Sequence, residues 1–150
     1  MARNDKAIEL VNDIISCCRD SQQVYLEAAD HINDTRLRTY FNERSLERAK
    51  YAGELEEQLR DFGDHDLKSE GTTGGAIRRA WMDVKASLGG GDHSILSSLE
   101  ACEDQVKQAY MEAMKEPLPG KLSSAVRSQA QSVFSAHDYV RSIRDRKAAA

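Results

Sequence analysis

Helix breakers are scarce in this chain. There are two prolines among 150 residues, and most of the nine glycines gather at Gly71, Gly74, Gly75 and Gly89 to Gly91, which leaves long stretches fit for helix. No basic tract stands apart from neighbouring acids. The 21 Lys and Arg against 25 Asp and Glu give a net charge of −4, so nucleic acid is not expected as a partner. The longest run free of Asp, Glu, Lys and Arg, Ser128 to His137, falls far short of the ~20 apolar residues that a membrane helix needs. The start, Met1-Ala2-Arg3-Asn4-Asp5, has no apolar signal-peptide stretch. A cytoplasmic protein that engages no membrane is the expectation. The three cysteines, Cys17, Cys18 and Cys102, are odd in number, two of them adjacent, and no CxxC occurs, which argues against a disulfide framework and a zinc knuckle. A phosphate-binding loop and a GxSxG elbow are also missing, since Gly71 to Gly75 lacks a following Lys-Ser or Lys-Thr. No catalytic residue and no cofactor-binding residue is indicated.

What is present is helical periodicity. Apolar residues make up 40% of the chain and charged residues 31%, enough to fill a core and cover it. Ile8, Val11, Ile15, Cys18, Tyr25, Ala29 and Ile32 recur at steps of three and four, apart from one polar interruption at Gln22, and predict a helix over 4–32. Leu37, Phe41, Tyr51, Leu55 and Phe62 continue the spacing over 35–62, with Arg44 and Arg48 in mid-seam. Asp92 is read as the cap of a third helix, 92–116, carrying Ile95, Leu99, Cys102, Val106, Ala109 and Ala113 and stopped by Pro117. A fourth, 119–146, carries Leu122, Val126, Gln129, Val133, Ala136, Val140 and Ile143. Between the second and third helices, Ile77, Trp81, Val84 and Leu88 mark a short helix over 76–88.

The four main helices each span roughly 38–44 Å at 1.5 Å per residue, so they match as bundle partners. Short turns join the first to the second and the third to the fourth, whereas about 30 residues separate the second from the third. That length suits a crossover running back along the bundle. The fold class is therefore all-α: one ferritin-like four-helix bundle over 1–150, with a long crossover that carries the short extra helix. Three segments support this. Arg19 to Ala29 (RDSQQVYLEAA), Arg78 to Lys85 (RRAWMDVK), and Glu100 to Asp104 (EACED) followed by Tyr110 resemble a bacterial family of ferritin-like four-helix-bundle proteins known as a domain of unknown function. The resemblance implies the fold and carries no activity. It also suggests a stress-related setting. A non-catalytic bundle that works through association, as a homodimer or larger homo-oligomer, is the expected function.

Ferritin-like di-iron proteins hold metal with a Glu from each of two helices and Glu-x-x-His from the other two. Here the second helix has Leu46, Lys50 and Glu57 three residues after its glutamates, and the fourth contains no Glu at all. No cofactor is expected on this count. The alternative is a di-metal carboxylate protein, binding iron or manganese or oxidase-like, with a degenerate site around Glu100, Glu103 and His137. Counting equal heights from the shared end of the bundle places Gln22, Arg44, Glu103 and Gln129 at one level, with Arg48 one turn below near Cys18. A polar layer there would let a guanidinium compensate a carboxylate where a di-iron relative has metal. The competing reading has both arginines reaching out to solvent at a loosely packed rim. Cys17 is expected to face outward, and Trp81 to pin the crossover to the bundle.

Overall fold

A computed structural model describes residues 2–61, 77, 79, 81 and 91–149. Four helices account for nearly all of them: α1 (Ala2–His31), α2 (Thr35–Asp61), α3 (Gly91–Met114) and α4 (Gly120–Ala149). No strand occurs among the described residues, and none of the described helices is long and apolar enough to cross a membrane.

Local chemistry sets the helix ends. Asp34 caps α2, its Oδ1 accepting the N–H groups of Arg36 at 2.9 Å and Leu37 at 3.3 Å, donors that an uncapped first turn would leave unsatisfied. At the end of α3 the N–H of Lys115 and that of Glu116 turn back to the carbonyls of Glu112 and Ala113, and Pro117 follows. The Pro119 carbonyl accepts the first bond of α4, from the Ser123 N–H at 2.7 Å. Gly91 enters α3 with φ of 78°, a left-handed conformation that disfavours any side chain. Asp92 does something other than cap α3. Its carboxylate accepts the backbone N–H groups of Asn33 at 2.9 Å and Asp34 at 3.2 Å, tying the α1–α2 turn to the start of α3.

That tie fixes the directions. The end of α1 and the starts of α2 and α3 lie together, and Lys147 of α4 reaches the same place, its Nζ 3.5 Å from Asp34 and 3.7 Å from Asp92. Helix α1 packs on α2 and α3, and α4 packs on the same two, so every neighbouring pair is antiparallel and the parallel pairs face each other diagonally. Each helix turns its apolar seam inward. Val11, Ile14, Tyr25 and Ala28 of α1, Phe41, Leu55 and Leu59 of α2, Leu96, Val106 and Tyr110 of α3, and Val126 and Val133 of α4 share one core. Burying a side chain of this size stabilises by about 1.5–3 kcal/mol relative to leaving it in water.

The expected helix over 76–88 lies outside the described residues, apart from Ile77, Arg79 and Trp81, which are helical. Ile77 and Trp81 are buried and join the same core. The Trp81 indole N–H donates to Glu27 on α1, and the Cys102 thiol of α3 lies 3.7 Å from the Ile77 carbonyl. Cys17 is buried, contrary to the outward orientation expected from the sequence.

Candidate functional site

The most polar part of the interior is a single ion pair. Arg48 of α2 and Glu103 of α3 cross the bundle diagonal, joined by two parallel N–H···O bonds of 2.6 Å, and both side chains have 0% exposure. The Arg48 guanidinium also donates to Ser21 Oγ at 3.3 Å and lies 5.3 Å from the centre of the Tyr25 ring. The Ser21 hydroxyl in turn donates a hydrogen bond to the Cys18 carbonyl, 3.1 Å away. Burial alone would pull the pKa of Arg48 down. The Glu103 carboxylate overrides that effect and holds it well above its ordinary value. The Tyr25 hydroxyl sits near Glu103 without the alignment of a hydrogen bond, and burial, reinforced by that carboxylate, keeps it protonated with a raised pKa.

A second chain of polar groups runs beside the pair. The Tyr110 hydroxyl donates to Gln129 Oε1 at 2.7 Å and touches Cys18 Sγ at 3.4 Å. Gln129 Nε2 donates to the Tyr51 carbonyl and to Glu54, both at 3.3 Å. Burial pushes the Cys18 thiol up to about 11.

Of the five residues expected in a polar layer, Arg48, Glu103 and Gln129 are buried. Arg44, expected opposite Glu103, instead lies half-buried at the rim, bonded to Glu47 at 2.9 Å and stacked 5.0 Å over Tyr40. Side chains lean toward the start of their own helix, so a long arginine acts about one turn nearer that end than its Cα. Arg48 therefore meets Glu103. Gln22 is half-buried, and Ser21, its neighbour, takes the place expected for it. Tyr110 also belongs to this network, and its hydroxyl leaves no signal in apolar periodicity.

Glu100, Glu103 and His137, the expected metal trio, do not converge. Both oxygens of Glu103 face Arg48. Asp104 stands in its place: His137 Nε2 lies 3.3 Å from Glu100 Oε1 and 2.6 Å from Asp104 Oδ1. The spacing of four between Glu100 and Asp104, which keeps both on one face of α3, was the available clue. His31 and His93 are exposed at helix ends, and His31 Nδ1 contacts the Glu27 carbonyl at 2.8 Å.

A dinuclear centre does not fit this interior. The one buried carboxylate facing the diagonal among the described residues is fully engaged, and α4 supplies no Glu. No step can be built through such a centre.

No curated protein matches the chain. A family profile matches residues 6–116, leaving out the whole of α4, with Gln129 and His137. Over that span, about three quarters of its length, the chain belongs to the family described as a domain of unknown function, DUF2383.

Proposed function

We propose that the protein is a non-catalytic, ferritin-like helical bundle of the cytoplasm that acts by associating with copies of itself. One observation carries the reading: the centre of the bundle is closed by Arg48 and Glu103, so the molecule offers partners its surface rather than an interior reaction site. The ferritin-like arrangement is supported by the shared end of α2 and α3, which makes them parallel and asks the intervening residues to return along the bundle. Three buried cysteines that form no disulfide suit a reducing compartment.

The outer face of α2 supports association. Leu46 is 73% exposed, far more than any other large apolar side chain described. Two turns further along the same face, about 10 Å away, Gly53 has open space around it, so a second helix would approach closely there. Light scattering on the purified chain tests the idea. The expected result is a dimer or larger assembly that Leu46→Glu converts to monomer with helix content unchanged. A wild-type monomer at all accessible concentrations would refute it.

A further inference from the structure

Where α3 meets α4, away from the diagonal, a buried imidazole faces two carboxylates. Glu100 and Asp104 stand one turn apart on α3, and His137 comes from α4. Only 3% of the His137 side chain is exposed, and its Nε2 is buried without an aligned hydrogen bond, although oxygens lie at 2.6 and 3.3 Å.

The other ring nitrogen explains why this matters. His137 Nδ1 lies 3.2 Å from Asp138 Oδ1 with hydrogen-bond geometry, and since a carboxylate can only accept, Nδ1 carries the proton. In the neutral ring Nε2 then presents a bare lone pair. Two carboxylate oxygens pressed on a lone pair repel it unless a positive centre lies among them, and the poor alignment at Nε2 shows that an N–H does not serve either oxygen well. The carboxylate behind the imidazole matches the outer partner that metal-binding histidines use to fix their tautomer.

The rest of the surroundings leave the three donors available. Arg144 takes the far oxygen of Glu100, Oε2, at 3.1 Å, so Oε1 is left facing the imidazole. Arg141 lies 3.6 Å from Asp138 and reaches neither Glu100 nor Asp104. The charges around His137 are thus three carboxylates and, beyond them, two guanidinium groups, of which Arg144 is also bonded to Asp145 at 2.9 Å. The four carboxylates exceed the two guanidinium groups by two negative charges, which a divalent cation would neutralise.

We infer that Glu100, Asp104 and His137 bind a single divalent first-row transition cation that clips α3 to α4. The donor set selects the class. One imidazole and two carboxylates favour zinc, cobalt, iron or manganese, whereas magnesium and calcium prefer all-oxygen shells. Ligands at about 2.0–2.2 Å from one ion stand about 3.0–3.5 Å apart. The three donor atoms already lie within 4.8 Å of one another, and half-exposed Asp104 can move to close the gap. Three protein ligands leave a position for water on the solvent side. The proposal is independent of self-association and is read by different measurements.

The test titrates the full-length chain, stripped by chelator and then desalted, with Zn²⁺ alone by calorimetry and with Co²⁺ alone by visible absorption. One cation per chain is expected, with a rise in melting temperature at saturation. His137→Gln and Asp104→Asn should each weaken binding at least about tenfold. Glu112→Gln, on the exposed end of α3, should leave it unchanged. Should buried His137 prove essential for folding, Asp104→Asn alone decides, because that side chain is 52% exposed. Absence of saturable uptake, or uptake of equal affinity in Asp104→Asn, would overturn the proposal.

Discussion

Replacing Glu103 by Gln gives the sharpest test of the interior. The substitution keeps the shape of the side chain and removes its charge, leaving Arg48 with 0% exposure, Ser21 as a neutral partner and no counter-ion. Breaking one side of a buried pair costs about 3–5 kcal/mol. In a chain of this length each kcal/mol moves the melting temperature by about 2–4 °C, so a drop of roughly 6–20 °C is expected. Arg48→Met should behave alike, since it strands the Glu103 carboxylate. The double substitution Arg48→Met with Glu103→Leu is the informative arm. Both charges disappear together, along with the unbonded Nε of Arg48, and the pair becomes ordinary core. Stability should return to within about 1 kcal/mol of the wild type or exceed it by up to about 4 kcal/mol. Thermal unfolding followed by circular dichroism at 222 nm reads all four proteins. Unchanged melting in both single variants, or a double variant less stable than either, would refute the reasoning.

The cysteines should be silent until the chain unfolds. Burial raises the Cys18 thiol to about 11 and the Cys102 thiol to about 12, and Cys17 is equally inaccessible, so a thiol reagent at pH 8 should find no reactive group in the native protein and three in denaturant. Rapid labelling of even one equivalent under native conditions would contradict the packing. At the opposite end of the charge scale lies Asp34. Slight desolvation pushes its carboxyl up, but the N–H groups of Leu37 and Arg36, helped by Lys147, outweigh this and lower its pKa. A carboxyl with a lowered folded pKa contributes stability above its unfolded value, near 4, and loses it as pH falls through the folded value. The melting-temperature gap between wild type and Asp34→Ala should therefore be full at pH 7 and narrow progressively below pH 4; a gap that widens on acidification would show that the cap works differently.

The helices were legible because their seams repeat over many turns. Expected spans of 4–32, 35–62, 92–116 and 119–146 differ from the observed ones by no more than three residues at any end. Levels across the bundle were harder to read. Counting from Asn33 and Asp92 put Arg44 opposite Glu103, since counting Cα rise ignores the reach and tilt of a long side chain; Arg48 lies four residues deeper and leans back to the same height. The metal trio failed in another way. Glu103 and Asp104 are adjacent in sequence but point about 100° apart around α3, one into the core and one toward the groove, and only packing against α4 shows which of them meets His137. Hydroxyl contacts such as Ser21 to Arg48 and Tyr110 to Gln129 depend on angles that residue type does not encode.

The diagonal placement of Arg48 and Glu103 divides the opposite charges between two halves of the chain. The helical hairpin α1–α2 contains the cation, and α3–α4 contains the anion. Either hairpin by itself leaves its ion to water, and docking removes both charges from solvent together, where each is the other's counter-ion. One hairpin docked without the other's charge would bury an ion unpaired, so the diagonal pair ties the two halves of the chain into one electrostatic unit.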